Sequence, residues 1–200
     1  MSVARGARIG IIGAKGSGKD TFAAPFIRCG FQRVAFADPM KEMLFAGLGI
    51  SRETLWGPSE ARETIPAGFT VSVRHMLQTL GTGWGRDCVD EDVWIRAALA
   101  ATVGKEPDGL WIVTDVRFPN EAAALEAAGF MLVRITRPGV SDDAHESESY
   151  VSSITAHVEV DNDRTIRELE MAARFVVTGL MHGRLDEKMR LALDPVERFR

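Results

Sequence analysis

Residues 13–21 read Gly-Ala-Lys-Gly-Ser-Gly-Lys-Asp-Thr, a spacing that suits one kind of chemistry, the cradling of phosphate. Glycine at 13, 16 and 18 lets successive backbone N–H groups turn toward an anion, because a Cβ there would block the turn or the ligand. Ala14, Lys15 and Ser17 complete the loop, and Lys19 supplies a point charge for outer phosphates. The pattern matches the Walker A form except at one place. Asp20 stands where a serine or threonine hydroxyl is usual, and Thr21 follows one position late. Two readings stay open: a displaced Thr21 reaches a magnesium ion, or Asp20 replaces the hydroxyl as a ligand or as an acceptor for bound water.

Phosphoryl transfer also needs an acid near the metal, cations around the transferring group, and an acceptor pocket. Asp115 ends the apolar run LWIVTD, where a carboxylate could hold a magnesium-bound water or orient an acceptor oxygen, or merely cap a turn. Arg117 follows it, aimed at the same cleft or at solvent. The segment SVRHMLQTLGTGWGRD carries Arg74 and Gln78 on one helix face, then Thr82 and Arg86 around a glycine turn. Two guanidinium groups and two neutral hydrogen-bonding groups suit a nucleoside monophosphate, although a solvated helix face has the same spacing. Trp84 and Trp94 could stack on a base; a tryptophan on an apolar helix is more often core.

The elements that must position these groups alternate along the chain. ARIGII (7–12) reads as a buried strand, followed by the glycine loop and a helix from Gly18 to Cys29. FQRVAFA is a second strand. DPMKEMLFAGLG is a helix with Asp38 as N-cap and Pro39 at its first position, ending at Gly47 or Gly49. Residues 51–70 read as an irregular excursion, part of an insertion over about 51–104. Val73, Met76, Leu77 and Leu80 follow helical spacing, and a second helix from Gly85 to Val103 is expected to bury Val89, Val93, Ala97 and Ala100. LWIVTD and FMLVRIT are strands flanking an alanine-rich helix that starts at Asn120 and closes at Gly129. A polar lid is expected over about 137–153, then the strand HVEV. A helix from Arg164 to about Leu180 follows, with a Thr165–Glu168 capping box and apolar positions 166, 169, 173, 176 and 180. A further helix is read at 186–193 within the tail 181–200. The alternation indicates one α/β domain with a parallel sheet, with ligands collecting at the carboxyl ends of its strands.

The 200 residues carry a net charge of −4 and a sequence pI near 5.6, a balance that argues against an extended nucleic-acid surface but leaves room for a local anion pocket. Cys29 and Cys88 lack the paired spacing of a zinc or redox site, which fits a reducing cytoplasm. No apolar run approaches the roughly 20 residues of a membrane span. The tail leaves open a cap on the core, a homodimer contact or a frayed end.

The blocks GAKGSGKDTFA, FADPMKEML, VRHMLQTLGTGWGRDCVDEDVW, WIVTDVRFPNEA, RPG with HESE, and VDNDRTIREL together resemble the phage deoxynucleoside monophosphate kinase family, over nearly the whole chain to about residue 180. That family writes its loop G-K-D followed by Thr or Ser, so Asp20 is then a family trait. The resemblance implies a P-loop kinase fold and magnesium- and ATP-dependent transfer of the γ-phosphoryl group to a deoxynucleoside monophosphate, in phage or prophage nucleotide metabolism. It implies that Lys19 neutralises the transferring phosphate, with Asp20 and Thr21 near metal or acceptor. Asp38, Lys41, Arg74, Gln78, Arg86 and Trp94 look like acceptor-side residues, and Asp115 and Arg117 line the cleft floor. Arg137 opens the lid, His145 resembles a lid histidine, and Asn162 lies in a turn similar to the adenine-side loop of related kinases. Rival readings are a kinase of another phosphorylated metabolite, resembling dephospho-coenzyme A or phosphomevalonate kinases, and a non-catalytic ATP switch. The arginines and glutamine at 74–86 argue against the former, the acceptor pocket against the latter.

Overall fold

The computed structural model describes residues 6–102, 104–139, 150–181 and 189–191. Runs of branched and apolar residues buried on both faces favour parallel strands, and six parallel strands are described: β1 (Arg8–Ile12), the mostly exposed β2 (Gln32–Val34), β3 (Trp111–Val116), β4 (Met131–Thr136), β5 (Val158–Asp161) and β6 (Met189–Leu191). They lie in the order β2-β3-β1-β4-β5-β6, and every neighbouring pair is parallel. The expected α/β class with a parallel sheet is therefore what the chain adopts. Seven α-helices are described: α1 (Lys19–Arg28), α2 (Asp38–Leu48), α3 (Arg52–Trp56), α4 (Val73–Gln78), α5 (Val93–Ala101), α6 (Pro119–Ala127) and α7 (Ile166–Met181).

The chain divides into two compact units, Met1–Val34 with Leu99–Arg200, and Ala35–Ala98. In the first, Ile9 and Ile11 of β1, Ile112 of β3, Val133 and Ile135 of β4 and Val158 and Val160 of β5 share one buried cluster with Phe22 and Phe26 of α1 and Leu169, Ala173 and Val176 of α7. The alternate residues point to the other face. There Gly10 lies so close to Leu132 and to Leu125 of α6 that a Cβ would come within 2.8 and 3.1 Å of their methyl carbons. The Thr165–Glu168 box starts α7 as expected, with Thr165 N–H donating to Glu168 Oε2 at 3.0 Å and Glu168 N–H to Thr165 Oγ1 at 3.3 Å. The α7 stripe differs at one end: Ile166 is 71% exposed, because the helix meets the sheet only a turn later, at Leu169.

The second unit holds α2, α3, α4 and its own small core of Leu44, Ile50, Leu55 and Val73. Its local structure departs most from expectation. Residues 51–70 are not irregular throughout: Ser51 Oγ accepts the Thr54 N–H at 3.2 Å and caps α3, and a 3-10 turn follows at Ser59–Glu63. Asp38 is the first residue of α2, not its N-cap; its carboxylate turns back to accept the Ala35 N–H at 3.0 Å. The expected glycine turn and the helix from 85 to 103 are also replaced. A π-helical stretch, Thr79–Val89, continues α4, and α5 starts afresh at Val93 after Asp90, whose carboxylate accepts the Asp92 N–H at 2.8 Å. Val89 and Ala100 are consequently exposed, and the buried positions of α5 are Trp94, Ile95 and Ala98. The helix read at 186–193 is likewise corrected, for residues 189–191 form β6, pairing with the otherwise open edge of β5 and satisfying its backbone groups. His145 and residues 140–149 of the expected lid lie outside the described residues.

Candidate functional site

The first unit gathers the loop, Asp115, Arg117, Arg137 and Asn162 at the carboxyl ends of its strands. Register places them there: Ile12 pairs with Val116 and with Arg134, and Thr136 with Asp161. Gly16 and Gly18 take φ of +80° and +100°, the left-handed region that favours glycine. At Gly13 the constraint is space, since a Cβ would lie 2.6 Å from Ser17 Oγ and 2.8 Å from the Ile135 carbonyl.

The loop carbonyls are held from outside. Lys19 Nζ donates to the Gly13 and Ala14 carbonyls, both at 2.6 Å. Arg137 Nη1 donates to the Gly16 carbonyl at 3.3 Å, and Asn162 Nδ2 to the Ser17 carbonyl at 2.9 Å. Asp20 is exposed in the first turn of α1, with Thr21 half-buried beside it. A cleft of about 170 Å³ adjoins the loop, lined among others by Gly13, Ala14, Ser17, Thr136, Arg137 and Ser152. Ser17 is 1% exposed and its hydroxyl has no partner among the described residues.

Asp115 is half-buried near the end of β3. Glu121, only 3% exposed, fixes the turn that follows by accepting the Arg117 N–H at 2.8 Å and the Phe118 N–H at 3.1 Å. This residue was missed in the sequence, although Pro119 at the helix start with an acid shortly after is a readable capping signal. Arg134 was missed as well. Its guanidinium donates to the Val151 carbonyl at 2.9 Å and to the Ile154 carbonyl, tying the segment after residues 140–149 to β4.

Asp38, Lys41, Arg74, Gln78, Thr82, Arg86 and Trp94 all belong to the second unit. Asp38 Oδ1 accepts the Trp56 Nε1–H at 3.2 Å, and the Lys41 ammonium, in a residue only 8% exposed, lies 3.6 Å from the same oxygen and 5.6 Å from the Trp56 ring centroid. Trp56 and Arg52, which sequence reasoning passed over, line a shallow pocket with Asp38 and Glu42. Arg74 pairs with Glu63 through Nε and donates through Nη2 to the Ser59 carbonyl at 3.1 Å and hydroxyl at 2.9 Å. Its head group is thus fixed by the 3-10 turn. Gln78 ends α4, and Thr82 and Arg86 lie on the π-helical stretch, with Arg86 Nη1 donating to the Glu91 carbonyl at 3.3 Å.

Trp94 is 4% exposed. Its indole N–H donates to the Gly81 carbonyl at 2.8 Å, and a Cβ at Gly85 would come within 2.5 Å of its ring. It therefore braces the π-helical stretch from within, as a core tryptophan, while Trp84 is the exposed ring beside it, with centroids 6.2 Å apart.

Among the described residues no helix is long and apolar enough to cross a membrane, and no three or more His, Cys, Asp or Glu cluster as metal ligands. Comparison with known proteins is specific. A "Putative deoxynucleotide monophosphate kinase" of Acanthamoeba polyphaga mimivirus is 36% identical over 178 residues, which span 80% of this chain and 90% of that protein. The deoxynucleoside-5'-monophosphate kinase of Escherichia phage T5 is 39% identical over 67 residues, 34% of this chain and 26% of that protein. A solved structure, TT1252 from Thermus thermophilus, superposes with a TM-score of 0.49 at 16% identity, covering 88% of this chain and 98% of that one. The profile of the family described as deoxynucleotide monophosphate kinase matches residues 59–172, running from the 3-10 turn that holds Arg74 to the middle of α7. The resemblance carried by the loop and strand-end motifs agrees with the family profile and the mimivirus relative, and the chain belongs to the deoxynucleotide monophosphate kinase family.

Proposed function

We propose that this chain transfers the γ-phosphoryl group of ATP to a deoxynucleoside monophosphate, releasing ADP and the deoxynucleoside diphosphate. An oxygen of the acceptor's phosphate attacks the γ-phosphorus as the bond to the β,γ-bridging oxygen breaks, and the departing ADP takes up the negative charge. The observation that carries this reading is the loop, whose carbonyls at 13, 14, 16 and 17 are all engaged by side-chain donors and whose positive-φ glycines at 16 and 18 form the turn into the N-terminus of α1, where backbone N–H groups suit phosphate oxygens.

Each residue then has a task. The Lys19 ammonium, resting on the Gly13 and Ala14 carbonyls, moves to the outer phosphates of the donor. Arg137, already bonded to the loop at Gly16, adds charge against the developing transition state. Asp115 orients the acceptor oxygen or a bound water, and Arg117 supports it from a turn fixed by Glu121. In the second unit Arg74, held by Glu63 and Ser59, takes the acceptor's phosphate, with Arg86 assisting and Gln78 and Thr82 reading the base edge. Asp38 and Lys41 set the position of α2 on the acceptor side through Trp56.

The residues also fit a magnesium ion. The Asp20, Thr21 and Asp115 side chains offer only hard oxygen donors, the kind magnesium takes alongside waters and phosphate oxygens. When bound, magnesium neutralises charge on the donor's outer phosphates.

The test is ADP release from Mg-ATP with each deoxynucleoside monophosphate in turn, with dephospho-coenzyme A and no acceptor as controls. Release that depends on one or more monophosphates is expected. Equal release without acceptor, or dependence on dephospho-coenzyme A alone, overturns the proposal.

A further inference from the structure

Of the four side-chain donations to loop carbonyls given above among the described residues, the one from Asn162 comes from the residue farthest away in sequence and from a different strand end. Its own backbone N–H donates to the Thr136 carbonyl at 2.7 Å, extending the β4–β5 ladder one residue past β5. The preceding Asp161 accepts the Thr136 hydroxyl at 2.6 Å. The turn is thereby tied to β4 by main chain and side chain, and Asn162 Nδ2 reaches from this anchored base to the Ser17 carbonyl at 2.9 Å. The amide orientation is dictated by its partner, because a carbonyl can only accept.

A peptide group is planar, so fixing the Ser17 carbonyl fixes the Gly18 N–H on the opposite side of the same plane. Gly18 itself sits at φ +100°, and a Cβ there would lie 2.6 Å from Asn162 Nδ2, so glycine at this position makes room for the amide as well as for the left-handed turn. The geometry points to Asn162 as a positioning residue that locks the Ser17–Gly18 peptide with its N–H turned to the phosphates. This role differs from contact with the donor's base, and it makes phosphate affinity depend on a side chain beyond the loop motif. It rests on the reading of residues 13–21 as a phosphate cradle.

The two roles separate with a ligand that has no base. Binding of inorganic tripolyphosphate and of ATP is measured by calorimetry for the wild-type protein and for Asn162→Asp, which keeps the shape but sets an acceptor against the Ser17 carbonyl. The lock predicts that both ligands weaken by the same factor, about tenfold or more, with the thermal unfolding midpoint of the ligand-free protein little changed. Weakening of ATP alone, or unchanged affinity for both, overturns it. Should Asn162→Asp fail to fold, Thr136→Val removes the hydroxyl's bonds to Asp161 and to the Val160 carbonyl, and here too the lock requires a parallel, smaller loss for the two ligands. A wild-type protein that binds ATP but not tripolyphosphate refutes the cradle beneath the lock, whereas a wild type that binds both, with an unaffected variant, refutes the lock alone.

Discussion

Two stretches of this chain each carry three glycines, and they use them in opposite ways. In the phosphate loop, Gly16 and Gly18 are needed for positive φ, and the backbone they shape is stitched to Lys19, Arg137 and Asn162. In the π-helical stretch Thr79–Val89, none of Gly81, Gly83 and Gly85 has positive φ, and Gly81 and Gly85 serve as gaps. Met40 Sδ would lie 2.9 Å from a Cβ at Gly81, and the Trp94 ring 2.5 Å from one at Gly85. The first pattern encodes backbone conformation for a ligand, the second encodes packing. Identical residues therefore predict different consequences on substitution.

The largest effect is expected in the loop. On the proposed reading Lys19→Met removes the charge offered to the transferring phosphate, and it should lower turnover by at least about tens of fold while leaving the fold intact. Near-normal turnover in steady-state assays would break the assignment of this region to the donor. Arg74→Ala should act on the other side of the reaction, raising the KM for the monophosphate by about tenfold or more and leaving the KM for ATP nearly unchanged. An unchanged monophosphate KM would remove the second unit's claim to the acceptor.

The same contrast explains what the sequence could disclose. The loop, the strand ends at Asp115 and Arg137, and the Thr165–Glu168 box were legible because each is a local signal: a run of apolar residues, then glycines or a cap, within a few positions. The π-helical stretch was not. Helical spacing at Val73, Met76, Leu77 and Leu80 was read correctly and all four join the second unit's core, but the π-helical stretch has no local signature, and its partner across Gly85 is the Trp94 ring, outside any local window. Likewise β6 depends on the free edge of β5, a partner that no local window contains. For Trp94 the sequence left base stacking and a place in the core both open, and its burial and its bond to the Gly81 carbonyl fit the core reading.

The packing reading can be sharpened within the second stretch. Gly85→Ala places a methyl group against the Trp94 ring and should destabilise by about 1–3 kcal/mol in chemical denaturation. Gly83→Ala, where nothing lies within 4 Å of the added carbon, should be neutral or slightly stabilising. If both substitutions cost the same, the glycines serve conformation after all, and the distinction between the two regions collapses.

The smallest effect concerns the cap of α7, the helix whose Leu169 packs beneath Gly18, 2.9 Å from where a Cβ would stand. The backbone N–H of Thr165, followed by its hydroxyl, donates to the Glu168 carboxylate and holds its pKa below the ordinary value. A lowered folded-state pKa means that the cap's contribution is present above the unfolded value and is lost as pH falls through the folded one. Glu168→Gln keeps the shape and an acceptor oxygen but removes the charge. The wild type should therefore be modestly more stable than this variant near neutral pH, with the difference shrinking to nothing in the acid range below the usual carboxylate pKa. Urea denaturation of both proteins across that range measures it. A difference that persists unchanged into acid would mean that the carboxylate's charge contributes nothing to the cap, and that α7 supports the loop through Leu169 packing alone.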